Sequence, residues 1–258
     1  MDRWEAALRK FLGPWKSRRD VVGALVCGSR VHGTATKRSD VDVHIILKDG
    51  VRWRERGNKV VDGFLIEYFA NPGWQHRKYE TEDAGDNTRI NARMFASGKI
   101  IFDNDGSVER LQRAGRRAMR ARFKRPGRMA REAAKYHAWD TLDTVEDLAE
   151  RKSPSFWHTY HAGLEGVYRH YGKFLGAELL GAHRRLDGLV SPAFRRKYGV
   201  APFPDPVFAR LFQRCLRPVT VVGAARAFRA LVTHVHRRMG GFHIDGWTLR
   251  GPIRRGHI

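Results

Sequence analysis

Seven consecutive apolar or small residues, Val21-Val22-Gly23-Ala24-Leu25-Val26-Cys27, run directly into Gly28-Ser29, and a second apolar segment, Val41 to Leu47, follows a polar connection. An apolar run of this length bounded by turn residues reads as a buried strand, and Val41 to Leu47 reads as a second. Asp40 and Asp42 flank Val41 at the start of that second strand. Residues i and i+2 of a strand face the same way. Asp40 and Asp42 are therefore expected side by side, with Val41, Val43 and Ile45 facing the opposite side. Two adjacent carboxylates repel each other, and pairing them on one face needs a cation. Hard oxygen ligands suit Mg²⁺, which keeps several waters and also takes substrate phosphates. Gly28 lets backbone approach a phosphate closely, and Ser29 adds a hydroxyl. A helix starting at this point would add free N–H groups that favour an anion. A phosphate-holding loop beside a metal-holding strand edge is equipment for phosphoryl or nucleotidyl transfer.

A third carboxylate follows. The segment from Lys59 to Phe69 reads as one strand after a charged turn near Arg54-Glu55-Arg56-Gly57-Asn58, and Asn71-Pro72-Gly73 ends it. Within it Glu67 shares a face with Leu65 and Phe69. A charge there is costly unless paired or metal-bound, so Glu67 is the candidate to complete the cluster. Asp62 lies on the other face and is the weaker one.

These residues resemble the signature of the polymerase-beta-type nucleotidyltransferase superfamily. An apolar strand runs into Gly28-Ser29, ten residues intervene, and Asp40-Val41-Asp42 follows. The phrasing His32-Gly33-Thr34-Ala35 before Ser39-Asp40 is also similar to small bacterial members. The likeness covers roughly residues 20–105. It implies an enzyme in which Asp40, Asp42 and Glu67 are catalytic and hold one or two Mg²⁺ ions. Glu67 would serve as metal ligand or acceptor base. It also implies that Gly28 and Ser29 hold the triphosphate of an NTP. Arg30, Lys37 and Arg38 in the connecting loop are further phosphate candidates, set against plain solvated side chains. Tyr171-Gly172-Lys173 is similar to a segment of family helical domains in which a lysine reaches the nucleotide. It is not a P-loop, because Phe174 stands where Ser or Thr is needed. His44 shares the aspartate face and either borders the site or is simply packed.

The remaining elements give an α/β (α+β) expectation: an N-terminal mixed sheet with helices on one face, then a C-terminal helical bundle, with substrate in a cleft between them. Residues 2–12 read as a helix stopped by Gly13-Pro14, 87–97 as a helix ended by Gly98, and Lys99 to Phe102 as a short strand. Beyond Gly106 the alternation vanishes, and helices are expected at 107–123, 128–151, 155–175, 177–187, 205–216 and 220–239. The expected domains are thus 1–105, catalytic, and 106–258, helical and acceptor-binding. The Gly- and Arg-rich tail from 240 to 258 is expected to be ordered only by docking.

Charge bears on the acceptor. The net charge is +22, and it is uneven: residues 1–105 hold 19 basic and 15 acidic residues, residues 106–258 hold 30 and 12. Such a field attracts polyanions, although an arginine-rich composition could leave it merely solvated. The stretch 110–131 carries ten Arg or Lys with no acid. On the next helix Asp140, Asp143 and Asp147 share one face with Tyr136 and Trp139 nearby. That face either binds a cationic acceptor such as an aminoglycoside or, as favoured, pairs with neighbouring arginines. His158 and His161 lack a third ligand and read as ordinary histidines. The acceptor is left open among a small molecule, RNA and protein, with a non-catalytic nucleotide or nucleic-acid binding module as the remaining alternative. No apolar run approaches the roughly 18–20 residues of a membrane span. The charged start lacks a signal-peptide core. Two distant cysteines suggest neither disulfides nor zinc. A cytoplasmic setting is the resulting default, with no membrane partner.

Overall fold

A computed structural model describes residues 2–218 and 220–251. The chain divides into two compact units, 1–122 and 123–258. In the first, α1 (Arg3–Lys16) leads into β1 (Val21–Cys27), β2 (Val41–Leu47), β3 (Glu55–Val61) and β4 (Phe64–Pro72). α2 (Gly73–Gly85), α3 (Ile90–Ser97), β5 (Lys99–Asp103) and α4 (Ser107–Ala118) follow. The strands form one mixed sheet in the order β3-β4-β2-β1-β5, with β2 and β4 parallel and the other neighbours antiparallel.

Alternation sorts the strand side chains into two cores. Val41, Val43, Ile45 and Leu47 pack with Leu8, Phe11, Leu12 and Trp15 of α1. Leu25, Cys27 and Ile46 pack on the other face with Phe95 of α3 and Val108 and Leu111 of α4. Helices thus cover both faces, not one as expected, because β1 is apolar on both sides and neither side can be left to water.

Three further differences have local causes. α1 continues through Gly13-Pro14 to Lys16. A proline inside a helix costs a hydrogen bond, but continuing the helix buries Trp15 against Tyr68, ring centroids 5.6 Å apart. The supposed single strand from Lys59 is a hairpin, β3 and β4, turned at Asp62-Gly63 with φ of 49° and 82°. Asp-Gly with both φ positive is the preferred two-residue hairpin turn. Asp62 sits at this turn and bonds Lys10 at 2.9 Å. α2 had no apolar periodicity to reveal it. α4 packs on α3 and β1, and the compact units divide at 122/123.

The second unit contains α5 (Arg128–Glu150), α6 (Phe156–Leu175), α7 (Ala182–Val190), α8 (Pro192–Tyr198), α9 (Pro206–Cys215) and α10 (Val221–Arg238). Its core holds Phe156, Tyr160, Tyr171, Phe208 and Phe228, all fully buried. On α5, Glu146 meets Arg229 of α10 at 2.6 Å and Asp147 meets Arg151 at the helix end. His161 packs on the Trp157 and Tyr160 rings. Of the tail, Trp247 stacks on Tyr136 at 4.4 Å and Phe242 on His236 at 5.1 Å. The segment up to 251 is therefore docked by aromatic contact, and 252–258 lies outside the described residues. Among the described residues no helix is long and apolar enough to cross a membrane.

Candidate active site

β2 lies between β1 and β4, and this order builds the site. In the register, Asp42 stands opposite Cys27 of β1 on one side and opposite Glu67 of β4 on the other. Cross-strand partners project to the same face. Asp40, just before the strand, completes the group. One carboxylate oxygen from each of Asp40, Asp42 and Glu67 lies within 4.8 Å of the others, and all three residues are half-buried. No other group of three or more His, Cys, Asp or Glu side chains suited to a metal is found among the described residues.

Gly28 is required by this arrangement. Its φ is +83°, and a Cβ there would stand 2.0 Å from Asp42 Oδ2. The absent side chain leaves the space that the carboxylate occupies. Beyond it the chain makes successive turns: Thr34 N–H donates to Ser29 O at 2.9 Å and His32 N–H to Gly28 O at 3.4 Å. No helix starts here, so anion contacts in this loop would come from its own N–H groups and from Ser29.

Arg30 faces back into the loop. Its Nε donates to Asp40 O at 3.1 Å, its Nη2 to Ser39 O, and its guanidinium lies over the Phe64 ring at 5.0 Å. It holds the backbone that carries Asp40. Lys37 and Arg38 are exposed in the same connection. Lys173 lies on α6 of the second unit.

Electrostatics mark the site. Burial pushes the Cys27 thiol up, and the charges of Asp42 and Asp40 push it further. That cysteine is an inert wall and no nucleophile. Glu67 already has one cation: Arg56 Nη2 lies 2.6 Å from its Oε1, with the guanidinium over the Phe69 ring at 4.8 Å. Sequence reasoning placed Arg56 in a turn and missed it. The Asp62-Gly63 turn was the signal that would have made Glu55–Val61 a strand beside β4.

One pleat further along the same face, His44 is packed and only 4% exposed. It stacks on Phe69 at 5.3 Å and meets the His76 ring at 5.5 Å. Burial holds His44 down at about 3, with His76 adding to the shift. Burial likewise lowers His76 to about 4, against a raising hydrogen bond with Asn91.

The chain matches the family described as nucleotidyltransferase domain over residues 8–81. The match spans β1, the Gly28–Asp40 connection, β2 and β4. No curated protein matches the sequence. The structure is similar to that of a nucleotidyltransferase-like protein from Exiguobacterium sibiricum 255-15, at 14% identity and a TM-score of 0.50. That likeness covers 92% of this chain and 77% of the other. At such identity it is a likeness of fold, and it extends the α+β architecture over both units.

Proposed function

We infer that this chain, a transferase carrying a polymerase-beta-type nucleotidyltransferase domain, moves a nucleoside monophosphate from an NTP to a hydroxyl of an acceptor and releases pyrophosphate. The supporting observation is the convergence of Asp40, Asp42 and Glu67 beside a glycine whose missing Cβ leaves room for one of them. Three carboxylates that bring one oxygen each within 4.8 Å of the others make an all-oxygen donor set, and such a set fits Mg²⁺. Asp40 and Asp42 would hold the metal, one ion or two, with Glu67 as third ligand. The ion supplies charge neutralisation on the transferring phosphoryl oxygens. The residues do the rest. Gly28 N–H and Ser29 would hold the triphosphate, with Lys37 of the same connection as a further contact. Glu67, when not serving as ligand, would take the acceptor's proton. The acceptor oxygen forms a bond to the α-phosphorus as the α–β anhydride bond breaks, and the electron pair leaves with pyrophosphate.

The test is direct. Incubated with α-labelled NTPs, Mg²⁺ and panels of amino sugar, RNA and protein, the enzyme should label one acceptor and release an equivalent of pyrophosphate. Mg·NTP binding without any transfer would instead establish a non-catalytic nucleotide-binding module.

Two variants probe the cluster. Arg56→Ala removes a competing cation from Glu67. The arginine is 71% exposed and screened by water, so divalent binding should tighten only about two- to fivefold. Mn²⁺ titration followed by electron paramagnetic resonance without nucleotide reads this, and weaker binding would contradict the competition. Gly28→Ala puts a methyl group where Asp42 Oδ2 stands and strains a positive φ, at a cost of about 1–3 kcal/mol. Mn²⁺ affinity and transfer should fall together. A variant with unchanged affinity would show that Asp42 can move aside freely.

A further inference from the structure

The connection from Gly28 to Asp40 turns back on itself. Thr34 N–H donates to Ser29 O at 2.9 Å, His32 N–H to Gly28 O at 3.4 Å and Gly33 N–H to Arg30 O at 3.4 Å. The N–H groups of Ser29, Arg30 and Val31 meet no acceptor among the described residues. Successive backbone N–H groups left over in a turn make an anion-binding concavity. Its affinity depends on how firmly the turn is held before the ligand arrives, because donors ordered only on binding lose freedom in the process.

Arg30 closes the connection on itself through the carbonyls of Ser39 and Asp40. His32 reaches outward instead, to the C-terminal end of α3, where its Nε2 lies 3.2 Å from Ser97 Oγ. The direction of that bond follows from its surroundings. Ser97 Oγ lies 2.7 Å from Arg93 O, a carbonyl that can only accept, so the hydroxyl proton is committed there. Ser97 Oγ is then the acceptor for the ring, and His32 Nε2 carries the proton.

The end of α3 is a firm anchor for such a tie. Phe95, two residues before Ser97, is fully buried in the core that holds Leu25, Val108 and Leu111. Gly98, the next residue after Ser97, lies so close to β1 that a Cβ there would stand 2.4 Å from Leu25 Cδ2. Gln112 of α4 donates to Gly98 O at 2.8 Å. Ser97 is thus flanked by residues packed on β1 and bonded to α4, and His32 links the turn to that assembly.

We propose that His32 is a positioning residue: its bond to Ser97 fastens the turn to the end of α3 and presets the N–H groups of Ser29, Arg30 and Val31 for the triphosphate. The proposal rests on the transfer reading for the identity of that anion. Two readouts on the full-length protein test it. The first is hydrogen exchange without nucleotide. His32→Ala and Ser97→Ala should each quicken exchange at the Thr34 amide, which bonds Ser29 O inside the turn, and leave the β1 amides as in the wild-type protein. The second is calorimetric titration with Mg²⁺ and the α,β-methylene analogues of ATP, GTP, CTP and UTP, which cannot release pyrophosphate. Each single variant should bind its preferred analogue about three- to tenfold more weakly, the scale of one net hydrogen bond. The double variant should bind no more weakly than either single one, because the same bond is lost once. His32→Gln, whose amide nitrogen can stand where Nε2 does, should recover most of the affinity. A merely structural loss would not be rescued in this way. Unchanged exchange at Thr34, additive losses in the double variant, or a glutamine variant as weak as the alanine one would overturn the proposal and leave the transfer reading standing. A wild-type protein that bound none of the analogues would instead sink the transfer reading, and the triphosphate role of the turn with it.

Discussion

Asp42→Ala is expected to abolish nucleotidyl transfer, by on the order of 10³-fold or more, while the protein stays folded. The two halves of this expectation have separate causes. Asp42 is the centre of the cluster, standing opposite Glu67 in the register and nested against the backbone of Gly28. Its removal would leave Asp40 and Glu67 without the carboxylate between them, and a divalent ion held there would lose a ligand. Its neighbours in the strand, Val41 and Val43, face the α1 core and are untouched. With the packed face of the strand kept, the melting temperature should stay close to that of the wild-type protein. Asp42→Asn should be similarly inactive, since an amide keeps the shape but not the charge. Transfer of label from an NTP, read beside a thermal melt, checks both halves. Full activity in a folded Asp42→Ala protein would refute the assignment.

Asp205→Ala should destabilise the second unit by about 3–5 kcal/mol, the scale for removing one member of a buried charged network. Asp205 is 4% exposed and caps α9, where Oδ1 accepts from the N–H groups of Val207 and Phe208 at 3.0 and 2.9 Å. Oδ2 accepts from the Tyr171 hydroxyl at 2.6 Å and from His234 Nε2 at 2.7 Å. One carboxylate thereby ties α6, α9 and α10 together. Alanine leaves Tyr171 and His234 buried without this partner. Asparagine, which still caps a helix, should cost less. Burial pushes the Asp205 carboxyl up, but the hydrogen bonds from Tyr171, Phe208 and His234 outweigh it and hold the group at about 2. A carboxyl depressed on folding stabilises above its unfolded value near 3.8 and loses that contribution as pH falls through about 2. The wild-type protein should therefore shed on the order of 2 kcal/mol between about pH 4 and pH 2 that the alanine variant lacks. Denaturant melts of both proteins across that window measure it. Parallel pH profiles would show that the network does not depend on the charge.

The legible parts of this protein are those whose signal is local. Val21–Cys27 is buried throughout, and its length and apolarity announced a strand. Val41–Leu47 has the bounds that its alternation suggested. The hairpin was legible too, since Asp62-Gly63 carries the turn chemistry, but an expectation of one long strand from Lys59 obscured it. α1 ran past Gly13-Pro14 because the gain from burying Trp15 lies in the sheet, outside any window around the proline. α2 was hidden for the opposite reason: its residues have no apolar stripe, and its seat against β4 and α3 comes from contacts distant in sequence. The first unit extends through α4 because Val108 and Leu111 close the core around Leu25 and Phe95. The change of composition near residue 105 does not register that packing.

The cluster divides the same way. Covalent spacing alone put Asp40 and Asp42 on one face and set Gly28 ahead of them, because strand periodicity and the demands of a positive φ act over a few residues. The sequence also marked Glu67 as a charge that needed a partner. Which partner it meets was decided by the parallel pairing of β2 with β4, a contact between segments 25 residues apart in the register. The same non-local pairing lines His44 up with Phe69 beneath α2, whereas Arg56 reaches Glu67 through the local β3–β4 hairpin. A chain fixes the faces of its own strands through local geometry. The neighbours of each face follow from burial and hydrogen bonding across the whole unit, and only the tertiary structure supplies them.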